Sequence, residues 1–221
     1  MIRIALMVGL CLSCARHAAS PEDAAFVLPG SFAQQTTMAD LQTRFGPANV
    51  KRVSVPDDGG GAHAELVLFP DDPTRRAHVA FYDAKALVGV ASISVRDAES
   101  RWRGKQGVHV GMSFAELRRR NGKPFGFSGF SDQYRGLARD QWSPSLGDDD
   151  AQLGTLDVGE DEHMYFGVAL GLRGRGKDAP ADAYPHDEAS VSSDDPHYPR
   201  LGELVEVTEI AATTSLDDEW E

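Results

Sequence analysis

The chain has 221 residues, of which 41% are apolar and 25% are charged, and these proportions are ordinary for a globular protein that buries a core. Its 34 acidic residues outnumber its 22 lysines and arginines, which gives a formal net charge of -12. This charge repels a phosphate backbone, and the basic residues do not gather into a stripe that would overcome the repulsion, so the composition argues against a nucleic-acid partner.

Residues 1–19 have the pattern of a secretory signal peptide. A basic start at Arg3 precedes an apolar run from Ile4 to Leu12, and small residues follow the run. The run is about half as long as the ~20 apolar residues that a bilayer-spanning helix needs, so it predicts export and no membrane-spanning anchor.

The two cysteines, Cys11 and Cys14, both lie inside this segment, so the mature chain is expected to have no thiol chemistry and no intramolecular disulfide. The stretch Leu12-Ser13-Cys14-Ala15 resembles a bacterial lipoprotein box, in which the cysteine is acylated and becomes the first residue, although the position three before it is usually Leu. Ordinary cleavage after Ala15 is the alternative. We therefore expect a protein that is either periplasmic or anchored at the outer membrane through a lipid on Cys14.

Two stretches of the chain, residues 37–46 and 113–122, match each other without a gap. They begin at Thr37 and Ser113, carry an acidic residue three positions later, and end at a glycine. The hydroxyl and the carboxylate are typical of a capping box at a helix N-terminus, and a glycine closes the last turn when it adopts the left-handed conformation. The repeat predicts two short helices, each at the start of one structural unit.

An alternation of apolar and polar residues follows the first helix and predicts an antiparallel meander. Turn-forming Asp, Gly and Pro residues separate its candidate strands. The strands are expected at residues 50–55, 62–69, 78–82 and 88–95. The strict alternation over residues 91–95 indicates that one face of the sheet is buried and the other is wet.

The second helix is followed by weaker strand patterns, which long polar insertions separate. These strands are expected at residues 125–130, 137–142, 164–172 and 201–208. A unit of about 65 residues with one short helix buries only a thin apolar layer, so two units that share a sheet are the economical arrangement. The predicted fold is α+β, with tandem helix-plus-meander units at 33–98 and 107–210 that form one extended antiparallel sheet with short helices on one face.

Two further segments have a composition of their own. Residues 174–200 are rich in Gly, Pro, Asp and Ser, which predicts a mobile insertion in the second unit. Residues 211–221 end in an acidic tail, for which a solvated terminus is the expectation.

The two capped helices carry a resemblance to a known fold. Short Ser/Thr-x-x-Asp/Glu-Leu helices that close on Gly-Pro or Gly-x-Pro and lead into a meander are similar to the repeat of the β-lactamase-inhibitor-protein-like fold, which also occurs in small outer-membrane lipoproteins of the SmpA/OmlA type. The run from Gly111 to Leu117, the run from Asn121 to Phe130, and Asp140-Gln-Trp142 are also similar to a group of exported bacterial proteins. The resemblance covers most of residues 33–210. It implies a protein-binding fold and is almost silent on activity.

Catalytic patterns are incomplete in this sequence. Ser131 sits in a Gly-x-Ser-x context that lacks the second glycine of a nucleophile elbow, and the run from Gly171 to Lys177 lacks the Ser or Thr that follows the lysine of a phosphate-binding loop. Acidic runs at 148–150 and 160–162, with Asp157 between them, match no calcium loop and are typical of solvated loops. The sequence therefore predicts no cofactor, no metal site and no catalytic residues.

A concentration of aromatic and arginine side chains in the second unit is the candidate partner-binding surface, because aromatic rings offer a large contact area at a low entropic cost. Alternate residues Phe125 and Phe127 would share one face of a strand, so a core stripe is the competing interpretation. The candidate residues are Phe125, Phe127, Phe130, Tyr134, Arg135, Arg139 and Trp142.

We expect a non-enzymatic module of the periplasm or envelope that binds or assembles an envelope or secreted protein. The competing hypothesis is an exported hydrolase or metal-dependent enzyme that uses the Ser131 region or the acidic loops. It requires a deep pocket with convergent polar groups at those places.

The lipid anchor is directly testable. If Cys14 is acylated, cells that express the protein will incorporate a labelled fatty acid into it, and Cys14→Ser will abolish the label because the substitution removes the acceptor thiol. Equal absence of label in both proteins, with a shortened mature chain by mass spectrometry, would instead establish ordinary cleavage.

Overall fold

The computed structural model describes residues 26–56, 60–138, 142, 154–157 and 164–214. The predicted signal segment with Cys14, the acidic runs at 148–150 and 160–162, and the end of the acidic tail lie outside these ranges. Within them, no helix combines the length and the apolar composition that crossing a bilayer requires.

The first capped helix, α1, spans Met38–Phe45. The Thr37 hydroxyl accepts a hydrogen bond from the Asp40 amide (3.2 Å), and the Asp40 carboxylate accepts one from the Thr37 amide (2.9 Å), so the predicted capping box is confirmed. The Thr37 hydroxyl also donates to the Asp40 carboxylate (2.7 Å), and this bond, together with the one from the Thr37 amide, lowers the pKa of Asp40 below its ordinary value. Gly46 ends the helix at φ 86° and ψ 141° and does not adopt the left-handed helical conformation, because the following Pro47 disfavours helical backbone before it.

The second capped helix, α2, spans Phe114–Asn121 and keeps only half of the capping box. The Ser113 hydroxyl accepts from the Glu116 amide (3.3 Å), but the Glu116 carboxylate turns away to Arg119 and Arg120. Gly122 closes this helix in the left-handed conformation, at φ 77° and ψ -5°, as the sequence predicted.

The described residues form eight strands. In chain order these are β1 (Val50–Pro56), β2 (Ala62–Leu68), β3 (Ala77–Asp83), β4 (Val88–Val95), β5 (Gly126–Phe127), β6 (Tyr165–Leu172), β7 (Val191–Ser192) and β8 (Val205–Thr213). The main sheet has six antiparallel strands in the order β1-β2-β3-β4-β8-β6. The four strands of the first unit are consecutive neighbours, as expected for a meander. The α+β fold with an extended antiparallel sheet and few short helices is thus confirmed.

The core lies on one face of this sheet. A row of apolar side chains crosses five strands in register, and each member is at most 1% exposed. The row consists of Leu66, Val79, Ile93, Ala212 and Phe166. Leu41 and Phe45 of α1 and Phe114 and Leu117 of α2 belong to the same core, so the helices cover this face.

The second unit differs from the prediction in how its strands are used. The strand expected at 125–130 is reduced to β5, which pairs with β7 in a separate two-stranded sheet. Of the strand expected at 137–142, Leu137 and Ala138 form isolated bridges to Ala169 of β6 and Phe127 of β5, and residues 139–141 lie outside the described ranges. This segment joins the small sheet to the outer edge of β6.

The last predicted strand begins later than expected. Residues Leu201–Leu204 form a single helical turn, α3, and β8 starts only at Val205. Leu201 and Leu204 lie three positions apart and are both 2% exposed, so a helical turn buries both on the same side, whereas a strand would place them on opposite faces.

Two β-bulges interrupt the ladder. Ala80 pairs with Ser92 but Phe81 pairs with Val90, which leaves Ala91 as an extra residue in β4. Ala169 pairs with Glu209 but Leu170 pairs with Val207, which leaves Thr208 extra in β8. Bulges increase the local twist of a strand and bend it, so both contribute to the curvature of the sheet.

The core row makes a direct prediction about stability. Ile93→Ala should lower the free energy of unfolding by about 2–5 kcal/mol, because it opens a cavity at a site that the helices close off. Ser92→Ala, one position away on the other face, should change it by less than about 0.5 kcal/mol. Denaturant unfolding of both variants measures the difference, and equal losses would contradict this assignment of the two faces.

Candidate functional site

The second face of the main sheet is not covered by the three helices, and we call it the open face. Its centre is built from small side chains that lie opposite one another: Ser94 pairs with Ala211, and Ala211 pairs with Gly167. Ala80, Ser92, Ala169 and Thr213 line the same hollow, whose volume is about 350 Å³. Because short side chains leave room above the backbone, the sheet offers a shallow trough across β3, β4, β8 and β6.

Large apolar side chains border this trough. Tyr82, Leu137 and Tyr165 are 42%, 51% and 36% exposed, and they are three of the five large hydrophobic residues classed as exposed in the described part of the chain. The Tyr82 hydroxyl donates to the carbonyl of Thr214 (2.9 Å), so its ring is held in place beside the end of β8. A rim of this kind supplies contact area without large ordering costs.

Charged groups lie at two places on the open face. On β2 and β3, the Glu65 carboxylate lies between two imidazoles, 3.3 Å from His63 Nε2 and 3.5 Å from His78 Nδ1. Between β4 and β8, Arg96 and Glu209 form an ion pair of 2.7 Å. These groups add polar contacts at the border of a floor that is mostly uncharged, which is the usual layout of a protein interface.

The aromatic group that the sequence singled out divides in two. Phe125, Phe127 and Trp142 are each 0% exposed and belong to the core, so a partner that docks on the folded chain does not reach them. Their burial has a clear cause: the rings pack on each other, on Phe114 of α2 and on Phe166 of β6. For these three residues the structure supports the core interpretation.

Three of the remaining candidates lie in the loop that leads to Leu137. Phe130 and Tyr134 are half-buried and Arg135 is exposed, while Arg139 lies outside the described residues. Phe130 packs edge-on against Tyr184 at 6.1 Å. Tyr134 and Arg135 precede the rim residue Leu137 by three and two positions in the chain.

The segment 174–200, for which the sequence predicted mobility, is folded onto this loop. The amides of Gly129 and Phe130 donate to the carbonyls of Glu188 (2.8 Å) and Pro185 (3.1 Å), and β7 pairs with β5. Within the segment, the Tyr198 hydroxyl donates to the Glu188 carboxylate (2.6 Å), and this bond joins two positions that are ten residues apart. The composition predicted a solvated segment because it contains few apolar residues. In the structure, backbone hydrogen bonds and the buried side chain of Val191 (5% exposed) hold the segment against the loop.

The Ser131 region does not have the arrangement of a serine hydrolase. The Ser131 hydroxyl is buried without a hydrogen-bond partner of good geometry. The His186 imidazole lies 3.3 Å from the Asp187 carboxylate, and this contact lowers the pKa of Asp187 below its ordinary value. Because the Ser131 hydroxyl makes no hydrogen bond to a described imidazole, no base is placed on it, and Ser131 does not line the trough of the open face.

Two other kinds of site can be compared with the described residues, namely a metal site and a phosphate-binding loop. Within the described ranges, no group of three or more His, Cys, Asp or Glu side chains is placed to hold a metal ion. The segment that resembled a phosphate-binding loop forms a short 3-10 turn, Gly174–Asp178, and not the start of an α-helix.

Comparison of the chain with protein-family models, with curated proteins and with solved structures gave no match. The open face is therefore the candidate site on its own geometry: a trough of small side chains, an apolar rim and two charged borders.

The Tyr198 contact predicts a pH effect. The bond to Glu188 raises the pKa of Tyr198 to about 12, above the ordinary value of 10.0. Because the folded pKa is the higher one, this contact stabilises the fold fully below pH ~10 and is lost as the pH rises toward ~12. Ultraviolet titration should show one of the five tyrosines ionising late, and Glu188→Gln should bring it back toward the others. Glu203→Gln is the control, and a late tyrosine that persists in Glu188→Gln would contradict the assignment.

Proposed function

We propose that this chain is a non-enzymatic binding module of the periplasm or cell envelope that holds a protein partner on the open face of its sheet. The observation that carries the proposal is the coincidence of a sheet face that no described helix covers with Tyr82, Leu137 and Tyr165 at its border. Exposed apolar side chains that cluster around a hollow are the usual mark of a protein interface.

The shape of the face indicates what kind of element docks there. The floor is built from Ala, Ser and Gly side chains, so it accepts a protruding helix or loop and leaves room for that element's own large side chains. An apolar or aromatic residue of the partner would fill the trough, while Tyr82 and Leu137 would close around it and exclude water. This layout matches a buried centre with a surrounding rim.

Two further points support binding rather than catalysis. The charged groups of the open face form two separate clusters at its borders, since Glu65 with its two histidines and the Arg96–Glu209 pair stand on different strands. The sequence resemblance to the inhibitor-like and SmpA/OmlA-type repeats implies a fold whose members bind proteins. The export signal predicted at residues 1–19 directs the proposal to envelope or secreted partners.

A substitution that fills the trough tests the proposal. Gly167 faces the trough, and a Cβ placed there meets nothing within 4 Å, so Gly167→Tyr should leave the fold intact while its ring occupies the docking space. A photo-crosslinking amino acid at Leu137 should capture a defined envelope protein in wild-type cells. Gly167→Tyr should reduce that crosslink about tenfold or more, as expected for loss of a central contact.

The matched control is Ala39→Tyr, an equally large addition on the exposed side of α1. It should leave the crosslink unchanged, and thermal unfolding should show that all variants are folded. The proposal fails if Gly167→Tyr leaves the crosslink at the wild-type level. It also fails if the crosslinked protein, once purified, does not bind the wild-type chain.

A further inference from the structure

The two edge strands of the main sheet differ in whether other backbone segments pair with their outer sides. The outer edge of β6 is occupied, because the Ala138 amide donates to the Val168 carbonyl (2.9 Å) and the Leu170 amide donates to the Gly136 carbonyl (2.9 Å). At the opposite end, β1 is the last strand, and no strand of the described residues pairs with its outer side. An uncovered edge strand presents backbone donors and acceptors that another chain can use.

The ladder pattern identifies which backbone groups of β1 point outward. The Phe69 amide donates to the Asn49 carbonyl (2.7 Å), so these opposed residues form a hydrogen-bonded pair. Antiparallel pairs alternate between bonded and non-bonded, and the register places Arg52, Ser54 and Pro56 in the non-bonded positions. Their backbone groups therefore face away from β2. Pro56 agrees with this assignment, because proline within a sheet is tolerated where no ladder donor is needed.

The side chains that flank this edge differ between the two faces. Arg52 and Ser54, on the helix side, line a groove of about 600 Å³ at this edge together with Val53, residues 62–64, Ala84 and Lys85. The Arg52 guanidinium donates to the Lys85 carbonyl (3.3 Å), so two cationic side chains stand at the groove. On the open-face side, Val53 and Val55 are half-buried and apolar.

We propose that β1 is a second interaction surface, which accepts an extended segment of a partner protein as an additional strand. Arg52 and Ser54 each offer one outward N–H and one outward C=O to the added strand. Residues of that strand on the helix side face Arg52 and Lys85 and are acidic, whereas residues on the other side face Val53 and Val55 and are apolar. Opposite-charge and apolar cross-strand pairs both stabilise such an addition.

The same charges select against a second copy of this chain at the edge. Two β1 strands paired about a two-fold axis would bring Lys51 and Arg52 of one copy near those of the other, and like charges across strands are destabilising. Lys51 already has a partner in Asp71 at 3.0 Å, and the Asp83 carboxylate accepts from the amides of Lys85 and Ala86 in its own turn. The positive character at the groove therefore comes from Arg52 and Lys85.

A synthetic peptide tests this surface without knowledge of the natural partner. The probe is acetyl-Glu-Val-Asp-Val-Glu-Val-Asp-amide, and the same peptide with Lys at each acidic position is its control. The full chain should bind the acidic peptide at least about tenfold more tightly than the lysine peptide, because acidic side chains on one face of the peptide meet Arg52 and Lys85. Amide hydrogen exchange should show fast exchange at Arg52 and Ser54 in the free protein and slowed exchange at these two positions with peptide.

Two variants separate strand addition from a loose charge effect. Ser54→Pro removes an outward N–H that β2 does not use, so the fold should persist while peptide binding weakens about tenfold. Arg52→Glu should weaken the acidic peptide and favour the lysine peptide, whereas Arg118→Glu on α2 should change neither. A circular dichroism melt confirms that each variant is folded.

Three outcomes would overturn the proposal. The first is equal binding of both peptides to the wild-type chain. The second is binding that neither Ser54→Pro nor Arg52→Glu alters. The third is slow exchange at the Arg52 and Ser54 amides in the free full chain, which would mean that a segment of the chain itself covers the edge. None of these results depends on the open face, so the proposal for β1 and the proposal for the open face are tested independently.

Discussion

The structure depends on one constraint, which is that a strand sends alternate side chains to opposite faces. Once Leu66, Val79 and Ile93 are buried under the helices, their neighbours along each strand must face the other way. The open face is therefore a consequence of the core row: it contains the residues that alternate with it. What distinguishes this protein is that those residues are small at the centre and large at the border, which converts the back of a sheet into a hollow.

The first unit was predictable because its contacts are local. Each of its four strands pairs with the next one along the chain, short turns join them, and the Thr37 capping box forms as the sequence indicates. The second unit was less predictable because its pairings are distant: β8 returns to lie between β4 and β6, and β5 finds β7 across a long insertion. Sequence alternation carries no information about which remote strand will be the neighbour. The helical turn at Leu201 was also not predictable, because two leucines three positions apart are compatible both with a helical turn and with a strand that is apolar on both faces.

The candidate site was harder to predict than the fold. Aromatic residues attract attention in a sequence, but Phe125, Phe127 and Trp142 are as well suited to a core as to an interface, and packing against Phe114 and Phe166 decided for the core. The trough is marked by Ala, Ser and Gly, which carry no chemical signal by themselves. Only the wet face predicted from residues 91–95 pointed toward it, because Ser92 and Ser94 lie in the hollow. The proposed docking site is a place where side chains are small, and a sequence does not show where a volume is left empty.

The bulges at Ala91 and Thr208 bear on how the length of these strands can change. A deletion inside a regular strand reverses the inside and outside assignment of every residue between it and the strand end. A deletion of either extra residue does not, because Val90 and Phe81, or Val207 and Leu170, are already opposed across the gap that it would close. These two positions are thus places where the chain can lose one residue and keep both its core and its hollow. Insertions and deletions among related sequences would be accommodated there first, at the cost of some curvature and not of the fold.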